Sequence, residues 1–189
     1  MKNLIYIVIA ILIIASGFVF FRTDLEENDL GSDLNKVTMS EIRLTSRVFA
    51  HGGIIPSKYT CDGENINPPL KIESVPSEAK SLVLIMDDPD AVKPAGKVWD
   101  HWIVFNIPPT LTEVLEGEET QGVHGKGTGE NTDYRGPCPP DGEHRYFFKA
   151  YALDTVLSLE AGAIKREVEQ AIKGHIIAQG MLMGKYSRP

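Results

Sequence analysis

The chain has 189 residues, 42% of them hydrophobic, and a formal charge of −7 at pH 7. That length suits one domain plus a targeting segment, and the acidic balance offers no basic face to a polyanion, which excludes nucleic-acid binding. Its two cysteines are too few for a disulfide framework or a four-thiolate zinc site.

From Leu4 to Phe21 the sequence carries no charge. As a helix that run would be about 27 Å long, close to the ~30 Å hydrocarbon core of a bilayer. Residues 1–21 are therefore expected to form an N-terminal transmembrane helix. Ala15-Ser16-Gly17 has the small residues of a signal-peptidase site, so secretion after cleavage is the alternative. The continuation through Phe18, Val19, Phe20 and Phe21 to spanning length favours the anchor. Lys2 on one flank and Asp24, Glu26, Glu27 and Asp29 on the other place the domain outside the cytoplasm by the positive-inside tendency. Residues 22–41 hold six acids against two bases, with few large apolar side chains, and read as an acidic tether.

The folded domain is expected over residues 42–189. Ile42, Leu44 and Val48 suggest a first strand. Leu82 to Met86 is a continuous apolar run, the mark of a strand buried on both faces. Val98 to Ile107 alternates, with Trp99, His101, Ile103 and Phe105 on one side and Trp102 and Val104 on the other. In His144 to Leu153, His144, Tyr146, Phe148 and Ala150 share a face. Ile164, Val168, Ala171 and Ile172 repeat at helical spacing, with Gly174 as the stop. A last strand is expected from Ile176 to Tyr186. Several strands, long Pro- and Gly-rich separators and one short helix describe an all-β fold with minor α, a sandwich or barrel.

The loop from Gly117 to Gly142 holds seven glycines. Its Gly125-Lys126-Gly127-Thr128-Gly129 stretch fails as a phosphate loop, having no Gly-Lys-Ser/Thr and no following helix. Cys61 and Cys138 also lie in loops. Outside the cytoplasm they could pair; otherwise they are two free thiols.

Polar residues gather at the ends of apolar strands: Asp87, Asp88 and Asp90 after one, Asp100 and His101 opening the next, His144 and Tyr146 opening another. Each has a plain structural explanation as a turn former or a satisfied core group. Together they suggest a site. Asp88, Asp90, His101 and His144 are acceptable metal ligands, but no metal-motif spacing is present. Cys138 is a conceivable nucleophile, though prolines flank it. Anion binding fits better: Asp88 beside His101 would orient that imidazole, while the Tyr146 hydroxyl and a glycine-loop N–H would add neutral donors.

At these residues the chain resembles the phosphatidylethanolamine-binding protein family, whose microbial branch is also called Raf-kinase-inhibitor-like. Asp88-Pro89-Asp90-Ala91 looks like its Asp-Pro-Asp-x-Pro motif. Gly136-Pro137-Cys138-Pro139-Pro140 with Gly142-x-His144-Arg145-Tyr146 looks like its Gly-x-Pro-Pro-x-Gly-x-His-Arg-Tyr motif. Tyr59-Thr60-Cys61-Asp62-Gly63, Asn67-Pro68-Pro69 and the ending from His175 to Tyr186 resemble the microbial branch. The resemblance implies an antiparallel Greek-key β-sandwich whose mouth takes phosphate-like anions. It places Asp88, Trp99, His101, Gly136, His144 and Tyr146 in the pocket, with Asp90 and Pro137 nearby. Val92 stands where the first motif has its last proline, so the loop after Asp90 is expected to run differently. The expected function is non-enzymatic binding of a small anion, phosphate or a phospholipid headgroup, by a membrane-tethered domain outside the cytoplasm, with no cofactor and no metal. The alternatives are an interaction module such as a serine-protease inhibitor, and a metal-dependent or cysteine hydrolase.

Overall fold

The computed structural model describes residues 40–189. The described residues open with two short strands, β1 (Ser40–Glu41) and β2 (Arg43–Thr45), which lie in different sheets. Ile42 between them is buried, and its N–H donates to the Gln179 carbonyl at 2.9 Å. β3 (Leu70–Glu73) pairs with β2, and β4 (Ser81–Asp88) is buried along its whole length. A single helical turn, α1 (Val92–Ala95), leads to β5 (Trp99–Ile107). The two-residue strands β6 (Glu113–Val114) and β7 (Val123–His124) precede β8 (Glu143–Leu153). Helix α2 (Lys165–Ala171) and the last strand, β9 (Ile176–Ser187), complete the domain.

The larger sheet has the order β1-β9-β8-β4-β5-β7, and the smaller one β2-β3-β6. Leu44, Leu70, Ile72 and Val114 of the smaller sheet join Leu82, Leu84, Met86, Tyr146, Phe148 and Ala150 of the larger in one apolar core. The other face of β4 and β5, through Val83, Ile85, Ile103 and Phe105, packs with Val168 and Ile172 at α2. This double coverage is why Leu82–Met86 carries no polar alternation: burying each such side chain contributes about 1.5–3 kcal/mol.

The expected architecture needs two corrections. The large sheet is mixed, not purely antiparallel, because β1 runs parallel to β9. β1 hands the chain to β2 within one residue, too few to reverse direction, so it takes the open edge of β9 in the sense its path dictates. Close contact makes this crossing possible: a Cβ on Gly180 of β9 would collide with the Ile42 backbone. Nor is a membrane-spanning helix part of the fold described: among the described residues no helix is long and apolar enough to cross a membrane. The expected span at residues 1–21, and the tether up to residue 39, lie outside the described residues. The tether's last two residues, Ser40 and Glu41, form β1.

β5 carries two irregularities, and the second sets the site. Opposite β4, Leu82 faces Ile107 but Leu84 faces Val104, so one residue is extra near Asn106. Asn106 has φ 53°, and its side chain holds both the N–H and the carbonyl of Leu157. The register slips again between Met86, opposite Trp102, and Asp87, opposite Asp100. His101 is the extra residue of that bulge. A bulge turns two successive side chains to one side, so His101 leaves the face of Ile103 and Phe105. It joins Asp88 and His144 instead.

Candidate functional site

The bulge, the end of β4, the start of β8, α1 and the Arg135–Pro140 segment enclose a cavity of about 270 Å³. Its walls are Ala91, Pro94, Ala95, Trp99, Pro139 and Pro140, and its polar groups come from Asp88, His101, Arg135 and His144. An apolar cup with a few convergent polar groups is the usual form of a small-ligand site.

Asp88 sits where β4 ends, on the face of Leu84 and Met86. Its Oδ1 accepts the N–H groups of Asp90 (2.8 Å) and Ala91 (3.1 Å), which folds the turn around Pro89. Its Oδ2 accepts the Nδ1–H of His144 at 2.7 Å. This differs from the sequence expectation that Asp88 orients His101: the period-2 alternation of β8 brings His144 to Asp88, while His101 finds a backbone partner. The Nδ1–H of His101 donates to the Arg135 carbonyl at 2.7 Å, leaving Nε2 for the cavity.

The two imidazoles differ in charge preference. Burial pulls His144 down, but the hydrogen bonds and charges of Asp88 and Asp141 outweigh it, and its pKa is raised. For His101 burial dominates over the Arg135 carbonyl and the more distant Asp88, and its pKa is lowered. One cavity therefore holds an imidazole inclined to be charged beside one inclined to be neutral.

Not every expected site residue reaches the cavity. Tyr146 packs behind it, fully buried, edge-on to His101 at 5.3 Å and stacked on His144 at 6.5 Å between centroids. Burial, followed by the charge of Asp88, holds its phenol protonated. The Gly136 N–H, expected as a free donor, is taken by Asn65 Oδ1 at 2.8 Å. Gly136 lines the cavity through its close fit: a Cβ there would collide with the backbone of Tyr59 and Thr60. Asp90 turns away and receives three hydrogen bonds from Arg145, two of them from the guanidinium, which lower its pKa to about 2. The four residues weighed as metal ligands thus do not converge. Pro137 is buried, and its carbonyl accepts the Cys61 N–H at 3.0 Å.

Cys61 and Cys138 are joined in a disulfide with Cα atoms 5.4 Å apart. The bond clamps the proline wall to the 57–63 turn and leaves no thiolate, so the cysteine-nucleophile alternative fails. Arg135 is a cavity residue that the sequence reading passed over. It lies outside the polar clusters at strand ends, and only the fold brings it beside His101.

Residues 45–187 match the family model described as phosphatidylethanolamine-binding protein. A UPF0098 protein of Methanothermobacter thermautotrophicus is 52% identical over 153 residues, covering 78% of this chain and 99% of its own. The crystal structure of a phosphatidylethanolamine-binding protein homologue described from Chlamydia trachomatis aligns with a TM-score of 0.75 at 48% identity, over 79% of this chain and 99% of that one. An Escherichia coli structure, described as a member of the mammalian family of that name, aligns with a TM-score of 0.72 at 28% identity, over 79% and 100%. With its fold, its motifs and these relatives in agreement, the chain belongs to the phosphatidylethanolamine-binding protein family.

Proposed function

We propose that the domain binds a small anionic group, phosphate or a phospho-headgroup, in the His101–His144 cavity and does so without catalysis. The observation that carries this reading is the pair of imidazoles of opposite charge preference on one small apolar cup. His144, charged through Asp88, points its Nε2–H at Asp141 Oδ1 at a long 3.4 Å, and an anion entering the cup takes that hydrogen as the exposed Asp141 swings aside. The neutral Nε2 of His101 accepts a hydrogen bond from a monoprotonated phosphate or takes up a proton as a dianion enters. Proline, alanine and tryptophan walls reduce the competing water, which strengthens each polar contact. The Cys61–Cys138 bond supports a site of action in an oxidising compartment.

The test is a thermal melt of the full chain with inorganic phosphate or O-phosphoethanolamine at millimolar concentration. Both raise the melting temperature, and His101→Ala and His144→Gln each remove the shift. No shift with either ligand, or shifts that survive both substitutions, overturn the reading.

A further inference from the structure

A second concavity of about 450 Å³ lies on the other side of the Tyr134–Gly136 segment. Tyr134 lines this groove while Arg135 and Gly136 line the cavity, and Asn65, on the groove wall, holds the Gly136 N–H. Trp102 meets Tyr134 edge-on at 5.5 Å and lines the groove with it. At its rim Glu119, His124 and Asp133 bring one carboxylate oxygen, one imidazole nitrogen and a second carboxylate oxygen within 4.8 Å of one another.

The His124 ring is oriented in an informative way. Its Nδ1 stands 3.2 Å from the Thr132 carbonyl, and its Nε2 stands 2.9 Å from the Thr120 carbonyl and 3.7 Å from Glu119 Oε1. Both nitrogens face acceptors, yet a neutral imidazole has one hydrogen to donate. Either tautomer leaves one ring nitrogen with its lone pair against a carbonyl; with Nδ1–H on Thr132, the Nε2 lone pair faces the Thr120 carbonyl and Glu119 and is open to a metal ion. A ring N–H held by a backbone carbonyl is also how ligating histidines are commonly oriented. Two further features favour the metal. Asp133 brings a second carboxylate that a proton on Nε2 does not require. Thr120, 5% exposed, lines the groove with a buried hydroxyl that has no hydrogen-bond partner among the described residues.

We propose that Glu119, His124 and Asp133 form a divalent-cation site, with His124 Nε2 and the two carboxylates as ligands and the Thr120 carbonyl beside them. One imidazole with two carboxylates suits Zn²⁺ or Mn²⁺, whereas Ca²⁺ prefers an all-oxygen set. Ligands about 2.0–2.2 Å from one ion stand closer together than 4.8 Å, and the exposed Glu119 is free to close the difference. The ion would tie the segment around Glu119 to Asp133 and brace the wall behind Gly136. An ion carrying water supplies the partner that the Thr120 hydroxyl lacks.

The experiment is calorimetric titration of the full chain with ZnCl₂ or MnCl₂ alone, paired with imidazole NMR of His124. One ion per chain binds in the micromolar range, and Zn²⁺ displaces the His124 ring resonances. Glu119→Gln alters an exposed side chain and cannot unfold the domain; it and His124→Gln each lower the stoichiometry by one ion. Absence of binding, wild-type stoichiometry in both variants, or His124 ring resonances unmoved in saturating Zn²⁺ overturns the proposal.

Discussion

Two pairs of sequence neighbours, Asp87–Asp88 and Asp100–His101, send one member to each face of the large sheet, and the faces treat them differently. On the α2 side Asp87 bonds Lys149 at 2.7 Å and also Lys165, and Lys165 stands 3.1 Å from Asp100 at ion-pair rather than hydrogen-bond geometry. Burial lowers the Lys165 pKa, but Asp87 and Asp100 outweigh it and the net shift is upward. On the cavity side Asp88 meets an imidazole instead. A lysine held this way stays charged at any pH the protein meets, so the back cluster is a fixed staple across α2, β4 and β5. An imidazole changes charge near neutrality, and the front pair opens on the proline-walled cavity. One residue's displacement along a strand thus separates a structural ion pair from a responsive one.

The largest effect comes from breaking the staple. Lys165→Met keeps much of the packing volume but leaves Asp100 without its cation and Asp87 with Lys149 alone. Removing one partner of a buried pair costs at most about 3–5 kcal/mol, and Lys149 on Asp87 holds the loss toward the lower end; urea denaturation reads it, while the phosphate-induced melting shift persists. Asp88→Asn tests the front. Asparagine still accepts the Asp90 and Ala91 N–H groups, so the turn survives. The charge-assisted bond to His144 is lost, at about 1.5–3 kcal/mol. With only Asp141 left to oppose burial, NMR titration finds the His144 pKa lower than in the parent chain, and the phosphate shift disappears. If Lys165→Met also abolishes the phosphate shift, the two faces are not separate devices.

How much of this was legible in the sequence depends on how far each contact is from its neighbours in the chain. The buried run of β4, the alternation of β8 and the α2 stripe announce themselves because a single period governs each. The two-residue strands β6 and β7 carry no period to read. The face assignment in β5 fails because a bulge is a pairing event: nothing in Trp99–Asp100–His101–Trp102 reveals that β4 slips by one residue opposite it. The motif resemblance names Asp88, His101 and His144 together, yet which imidazole meets the carboxylate follows from β8 lying beside β4. Gly136 likewise reads as a free donor until Asn65, 71 residues away, is found on its N–H.

The smallest prediction uses pH to separate the two imidazoles. His144, raised in the folded state, adds stability that is fully present below its unfolded value of about 6.5 and is lost as pH rises through its folded pKa. His101, lowered in the folded state, works in the other direction. Below about 6.5 the unfolded chain takes up a proton there that the folded chain refuses, so stability falls as pH drops. The two slopes meet, and the melting temperature should pass through a shallow maximum near pH 6.5, well above the range where carboxylates titrate. His144→Gln should remove the alkaline slope and leave the acid one. Phosphate should flatten the acid slope, because an anion in the cavity favours a protonated His101. A profile that is flat from pH 5 to 8 would mean that neither imidazole senses folding, and the front of the sheet would then be as fixed as the back.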